Sequence, residues 1–274
     1  MARHWGLALA AALLAGCAMT VPPIQGVVWQ LDNQHTEPRG EWDRIGVRSL
    51  LVQWTVVDNL AYVEGTGLGS GAKMPDWARI ASQPWAQEVI LGLAGRFDER
   101  AAREDIEGLA RLSARLARNP PPVRVAGYYF PVEIDPTWTE AKRLGPLLRD
   151  LPRPLWISVY DSANVGPEEL AESLAGWLPP DVGVFFQDGV GVHAREPFVA
   201  RHYANVLVRK LGKDRVRVIA EAFRPDPAGG FRPATLDELR PQLATYRGFT
   251  IYLFEGPRYV SPSLVQSLAA SQAR

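Results

Sequence analysis

Two glutamates stand out for what they can do together. Glu133 closes the run Val125-Ala126-Gly127-Tyr128-Tyr129-Phe130-Pro131-Val132, and Glu221 closes Val216-Arg217-Val218-Ile219-Ala220. Paired carboxylates around one sugar are the equipment of glycoside hydrolysis: one protonates the leaving oxygen, the other attacks the anomeric carbon or activates water. The acid member needs its pKa raised, by burial or by its neighbour, to stay protonated near neutrality. Groups suited to gripping sugar hydroxyls occur at similar places: Gln30, Gln53, Asp135, Gln187, Asp188 and Glu255. The indoles of Trp29, Trp54 and Trp138 are suited to stacking on sugar C–H faces, whereas Trp156 reads as core. Two of these residues carry bland alternatives. Asp188 precedes Gly189, a common turn pair, and Arg224 stands close enough in sequence to neutralise Glu221.

These residues share one kind of address, the end of a β-rich run. Eight such runs recur: Ile24–Asp32, Leu50–Asp58, Glu88–Gly95, Val123–Asp135, Pro154–Asp161, Val182–Gly189, Val216–Phe223 and Phe249–Gly256. Helix-like stretches separate most of them, which is the signature of a parallel sheet with crossover helices. Eight repeats at this length predict a closed (β/α)8 barrel, a single α/β domain over residues 20–274, with its active site at the strand C-terminal ends. Strands four and seven of such a barrel lie on opposite sides of the pore, so Glu133 and Glu221 are expected to face one another across it. Pro131 lacks a ladder donor and predicts that the fourth strand ends there, leaving Glu133 and Asp135 just beyond it.

The strongest helix signal spans Glu99–Asn119, where Ile106, Leu109, Ala110, Leu112, Leu116 and Ala117 form one apolar stripe. Pro120-Pro121-Pro122 stops it. Leu50–Asp58 is the most β-like segment. The glycine-rich stretch Glu64–Gly71 lacks the Gly-Lys-Ser/Thr ending of a phosphate loop and reads as a hairpin tip or lid.

Composition removes other chemistries. Thirty acidic and thirty basic residues are evenly mixed, with no basic stripe of the kind nucleic acid requires. The histidines are scattered without metal-ligand spacing, so no metal is expected. Neither a dinucleotide fingerprint nor a serine-hydrolase elbow occurs, and no cofactor is implied.

The first residues read as an export signal. Arg3 and His4 precede the apolar stretch Trp5–Leu14, too short for a stable bilayer span. Leu14-Ala15-Gly16-Cys17 follows and resembles the bacterial lipobox, in which the cysteine is lipidated and becomes the new N-terminus. Cys17 is the only cysteine of the chain, so residues 1–17 are expected to be a lipoprotein signal peptide and membrane contact to run through a lipid anchor alone. Ala18 follows the cysteine, which by resemblance to sorted lipoproteins implies the outer membrane, facing the periplasm.

Tyr128-Tyr129-Phe130-Pro131-Val132-Glu133-Ile134-Asp135 and Phe185-Phe186-Gln187-Asp188-Gly189-Val190-Gly191 resemble a bacterial family of uncharacterised glycosidase-like TIM-barrel lipoproteins. Gly26…Trp29-Gln30 and Gln53-Trp54 fit the same resemblance, which spans nearly the whole mature chain. A glutamate after strand four and another after strand seven is also the arrangement of the retaining (β/α)8 glycosidase clan. The resemblance implies a carbohydrate substrate, with Glu133 as acid/base and Glu221 as nucleophile. One departure is Val132, at the position where that clan carries an asparagine for the sugar 2-hydroxyl. The rival expectation is a non-catalytic, glycan-binding lipoprotein that assists polysaccharide export.

Overall fold

A computed structural model describes residues 20–71 and 73–273; Cys17 and the leader lie outside them. Each of the eight β-rich runs supplies one barrel strand: β1 Gly26–Trp29, β2 Ser49–Val52, β3 Glu88–Gly92, β4 Val125–Ile134, β5 Leu155–Val159, β6 Val182–Gln187, β7 Val216–Glu221 and β8 Ile251–Phe254. They close in the order β1-β8-β7-β6-β5-β4-β3-β2, every pairing parallel. The outer layer consists of α1 Trp77–Ala81, α2 Glu99–Glu104, α3 Ile106–Leu116, α4 Leu144–Arg149, α5 Pro167–Ala175, α6 Pro197–Leu211, α7 Leu236–Thr245, α8 Gly256–Tyr259 and α9 Pro262–Gln272. Their starts follow local chemistry. Asp76, Asp98 and Ser261 accept main-chain N–H groups as N-caps, and Thr235 with Glu238 forms a capping box. None of the described helices is long and apolar enough to cross a membrane.

Strand periodicity sorts the apolar side chains into two cores. One residue from each strand fills the pore: Val28, Leu51, Ile90, Tyr129, Trp156, Phe185, Ile219 and Tyr252. Their sequence neighbours point outward and pack beneath the helices. Space for the pore rings is made by glycine, since a Cβ at Gly183 would lie 2.3 Å from Trp156 and one at Gly26 2.2 Å from Tyr252. Arg217 lies below this layer, its guanidinium 3.7 Å from the centre of the Trp156 ring and its Nη1 donating to Tyr252 Oη at 3.1 Å. A cation against the Trp156, Phe185 and Tyr252 rings thus occupies the lower pore.

Four expectations need correction. The fourth strand does not stop at Pro131 but runs to Ile134. Phe130 pairs with Ile157 and Ile134 with Val159, so β4 uses more residues than β5 over this stretch. The strand bulges where proline cannot donate, and the ladder resumes beyond it. The second run is not one strand either. After Val52 the chain turns at Gln53–Thr55, and Val56–Val57 joins a side sheet with Leu60–Ala61, Gly69–Ser70 and Ala94–Gly95. The glycine-rich stretch therefore contributes an edge strand, paired in parallel with Leu60–Ala61 rather than as a hairpin. Finally, the long helix breaks at Asp105 (φ −115°, ψ 30°), whose solvent-facing carboxylate bonds Arg96. The break separates α2 from α3, both of which touch β4.

Candidate active site

At the C-terminal end of the barrel a cavity of about 190 Å³ opens above the pore aromatics. It is lined by Val28, Leu51, Gln53, Tyr129, Pro131, Glu133, Ser158, Gln187, Ile219 and Phe254 from seven strands, and by Glu99 from α2. Alternation places these residues. Tyr129, Pro131 and Glu133 point inward at successive even steps along β4, and the bulge carries Glu133 to the rim without changing its face.

Glu133 accepts a short hydrogen bond from Gln187 Nε2. Its pKa is pushed up to about 7, chiefly by burial and next by the nearby Glu99 carboxylate; Gln187 and Arg103 oppose the rise. Glu99 is likewise raised, first by burial, while Arg103 and the main-chain N–H of Glu133 hold it down. Tyr129 donates to Ser158 Oγ at 2.7 Å, and burial drives its phenol pKa upward. Gln53 Oε1 is buried without a hydrogen-bond partner. The site therefore holds an acid that titrates near neutrality, flanked by amides and a hydroxyl.

Gln53, Glu133 and Gln187 are the expected site residues that this cavity brings together. The others go elsewhere, and parity explains several. Val28 faces in, so Trp29 faces out: it is fully buried, donates to the His35 carbonyl at 2.7 Å and packs on Trp77. Trp54 is also turned from the pore, donating to the Leu31 carbonyl at 2.7 Å with its ring against Phe97. Phe254 lines the cavity and its neighbour Glu255 does not. Glu255 is fully buried, accepts the Gln30 N–H at 3.0 Å and lies 3.1 Å from Arg258 Nε. Gln30 has inward parity, but its side-chain oxygen is taken by Arg258 at 3.3 Å.

Asp188 is sealed away from any sugar. Its Oδ2 accepts Gln242 Nε2 at 2.6 Å and Tyr246 Oη at 2.8 Å, and its Oδ1 accepts the N–H groups of Val190 and Glu221, both at 3.2 Å. Asp135 is a loop staple, bonded through both oxygens to Thr137 and Ser162. Burial would raise its pKa, but these hydrogen bonds outweigh burial and leave it below the ordinary range. Trp138 stands outside the cavity with the Arg103 guanidinium 5.3 Å from its ring centre.

Glu221 departs most from expectation. It shares inward parity with Ile219, yet its carboxylate turns into the loop after β6 and does not line the cavity. Oε2 accepts the Val192 N–H at 3.0 Å, and the Gly191 N–H also bonds it. A side chain at position 191 would collide, its Cβ 2.5 Å from Glu221 Cβ. Arg224 forms no ion pair with the carboxylate, although it feels the Glu221 charge. Its guanidinium is used on the main-chain carbonyls of Glu221, Phe223 and Glu238 and on Gln242 Oε1. Burial and then the Asp188 charge push the Glu221 pKa up to about 8.

The cavity also contains Glu99, the first residue of the helix expected over Glu99–Asn119 and not one of the expected site residues. The available signal was its position just past a strand end, immediately after the N-cap Asp98. The charge of Glu133 acts on the half-buried Tyr160 phenol as well, at the end of β5.

Raised carboxyl pKa values have a consequence for stability. Glu133 and Glu255 rise to about 7 and Glu221 to about 8, burial leading in each case. A carboxyl whose folded pKa exceeds its unfolded value binds its proton more tightly in the native state. That stabilisation is whole below the unfolded pKa and is lost as pH rises through the folded one. The protein is therefore expected to melt at its highest temperature near pH 5 and to lose on the order of a few kcal/mol by pH 8–9. Thermal melts followed by circular dichroism across that range check it, and a flat profile would show these groups to be solvated.

No family model matches the chain, and no curated protein matches it. Among solved structures it is similar to the spore cortex-lytic enzyme SleL of Bacillus megaterium QM B1551, with 10% identity and a TM-score of 0.45 over 90% of this chain and 74% of that one. A likeness so distant bears on none of the chemistry above.

Proposed function

We propose that the mouth cavity binds a sugar residue of a bacterial polysaccharide and that the protein cleaves a glycosidic bond there. The observation that carries this is Glu133: a half-buried glutamate at the rim of the barrel, bonded by Gln187, with its pKa pushed up to about 7. Glu133 would give its proton to the leaving oxygen as the bond to the anomeric carbon breaks. Water then supplies the new oxygen on that carbon and surrenders a proton to a carboxylate. Gln53 and Gln187 suit sugar hydroxyls, and Val28, Leu51, Ile219 and Phe254 offer an apolar floor and wall. The cavity is smaller than the 300–1,000 Å³ or so typical of ligand sites, which suits one sugar ring better than several.

A second reading is favoured by one specific observation. Glu221, the expected second carboxylate, is bonded by the Val192 N–H and is not among the residues that line the cavity with Glu133. A non-catalytic, glycan-binding lipoprotein assisting polysaccharide export would need no such pair. The test is reducing-end release from a panel of bacterial exopolysaccharides, with binding to each measured in parallel. Hydrolysis of any polymer supports the enzyme, and binding without release supports the accessory role. Neither result on any polymer overturns both.

The export signal and Cys17 complete the proposal as a lipid anchor that holds the barrel to the periplasmic face of the outer membrane. Cys17→Ser is expected to move the protein from the membrane fraction to the soluble fraction of the host cell. Retention on the membrane would overturn the anchor.

A further inference from the structure

The bulge in β4 takes the peptide of Glu133 out of the ladder with β5. A peptide group at a buried rim needs other partners, and α2 supplies both. Arg103 Nη2 donates to the Glu133 carbonyl at 3.2 Å, and the Glu133 N–H lies near enough to the Glu99 carboxylate to lower its pKa. Glu99 and Arg103 lie one helical turn apart, so a single face of α2 meets the peptide from both sides. The Glu99 side chain enters the same cavity as the Glu133 side chain.

Other carboxylates near the mouth are committed. Asp135 is used by Thr137 and Ser162, Asp188 by Gln242 and Tyr246, Glu221 by the loop amides, and Glu255 by Gln30 and Arg258. Glu99 shares the Glu133 cavity and they do not; its Oε2 is buried without a hydrogen-bond partner, as is that of Glu255 outside the cavity.

We propose that Glu99 is the partner carboxylate of Glu133, a positioning residue that clamps the Glu133 peptide and, as the ionised member of the pair, keeps Glu133 in its acid form. This rests on the reading of the cavity as a glycosidic site. The groups facing Glu133 set the order of ionisation. From α2 come Glu99 and the Arg103 cation, from its own strand Asp135 and the Tyr129 phenol, from β6 the neutral Gln187 amide, and from the end of β5 the Tyr160 phenol. Glu99 has a main-chain N–H close by in addition to the field of Arg103, whereas the Glu133 side chain is bonded by a neutral amide. Negative charge therefore settles on Glu99 first, and the like charge beside it makes Glu133 harder to ionise.

The experiment is a 13C NMR titration of the glutamate side-chain carboxyls in the whole mature protein, with Glu133 assigned by its loss in Glu133→Gln. In the unaltered protein Glu99 is expected to titrate below Glu133, and the reverse order overturns the proposal without any variant. In Glu99→Gln the Glu133 midpoint is expected to fall by about one unit or more. Glu99→Asp, which keeps the charge, should restore part of it. Glu104→Gln, on the same helix but paired with Arg100 at the surface, should leave it in place. An unmoved midpoint in a folded Glu99→Gln protein overturns the proposal. Where a polymer is hydrolysed, the alkaline limb of its kcat/KM profile should move acidward by the same amount, which a merely structural loss would not produce. If no polymer is cleaved, the glycosidic reading fails while the titration still decides the pairing.

Discussion

Glu133→Gln is expected to lower kcat on a natural polysaccharide by about a hundredfold to ten-thousandfold, with KM little changed. The amide keeps the shape of the side chain and an oxygen to accept from Gln187, so sugar binding and fold should persist. What it lacks is a transferable proton. The loss should therefore depend on the leaving group. An activated aryl glycoside expels a stable phenolate and needs little protonation, so the defect should shrink sharply on such a substrate. The alkaline limb near pH 7, which reports the Glu133 acid form, should also vanish in the variant. Steady-state kinetics on the two substrate classes across pH checks each point. A loss under about tenfold, or an equal loss on both classes, would remove Glu133 from the acid role.

Asp188→Ala carries the largest expected effect on stability. Asp188 is completely buried, and its two oxygens accept from Gln242, Tyr246, Val190 and Glu221. Truncation leaves those donors together in a space closed to water, each paying its desolvation without a partner. One effect runs the other way: with the Asp188 charge gone, Glu221 loses the neighbour that raises its pKa. The lost acceptors outweigh that relief. Breaking a buried charged network by removing one member costs about 3–5 kcal/mol. For a domain of this size that is a fall in melting temperature of roughly 10 °C. Asp188→Asn should show a smaller fall, because one of its two side-chain groups would set an N–H against another donor. A substrate-gripping Asp188 would behave differently, raising KM while leaving the melting temperature alone. Thermal melts beside the kinetics separate the two roles.

Much of the site's fate was already latent in strand parity. Once Val28, Leu51, Phe185 and Tyr252 are known to face the pore, Trp29, Asp188 and Glu255 must face away, and Gln53 and Gln187 must face in. A strand shows its alternation in sequence only when one side is polar, and barrel strands are apolar on both faces. Residues such as Val27 and Val28 are then interchangeable by composition, and nothing local says which enters the pore. Trp29 and Trp54 were misplaced for this reason, and Trp54 further because the chain turns at Gln53–Thr55. The bulge at Pro131 was legible as an irregularity, but its outcome was not, because resumption of the ladder depends on β5.

By itself, the amino-acid sequence determined the eight-strand parallel barrel, the end of it that holds the polar groups, and Glu133, Gln53 and Gln187 as residues of that end. Those follow from hydrophobic periodicity and from the places where apolar runs meet polar residues, which are local properties of a chain. Only the tertiary structure decided which carboxylate shares a cavity with Glu133. Glu221 has the right parity, yet it turns aside because the amides of Gly191 and Val192 meet it. Glu99 comes from a helix in the preceding repeat, and it arrives because a break at Asp105 separates α2 from α3 and a bulged strand leaves a peptide for α2 to bond. Both choices were settled by unpaired main-chain groups in a closed barrel seeking partners, and which groups are left unpaired is known only when the sheet has closed.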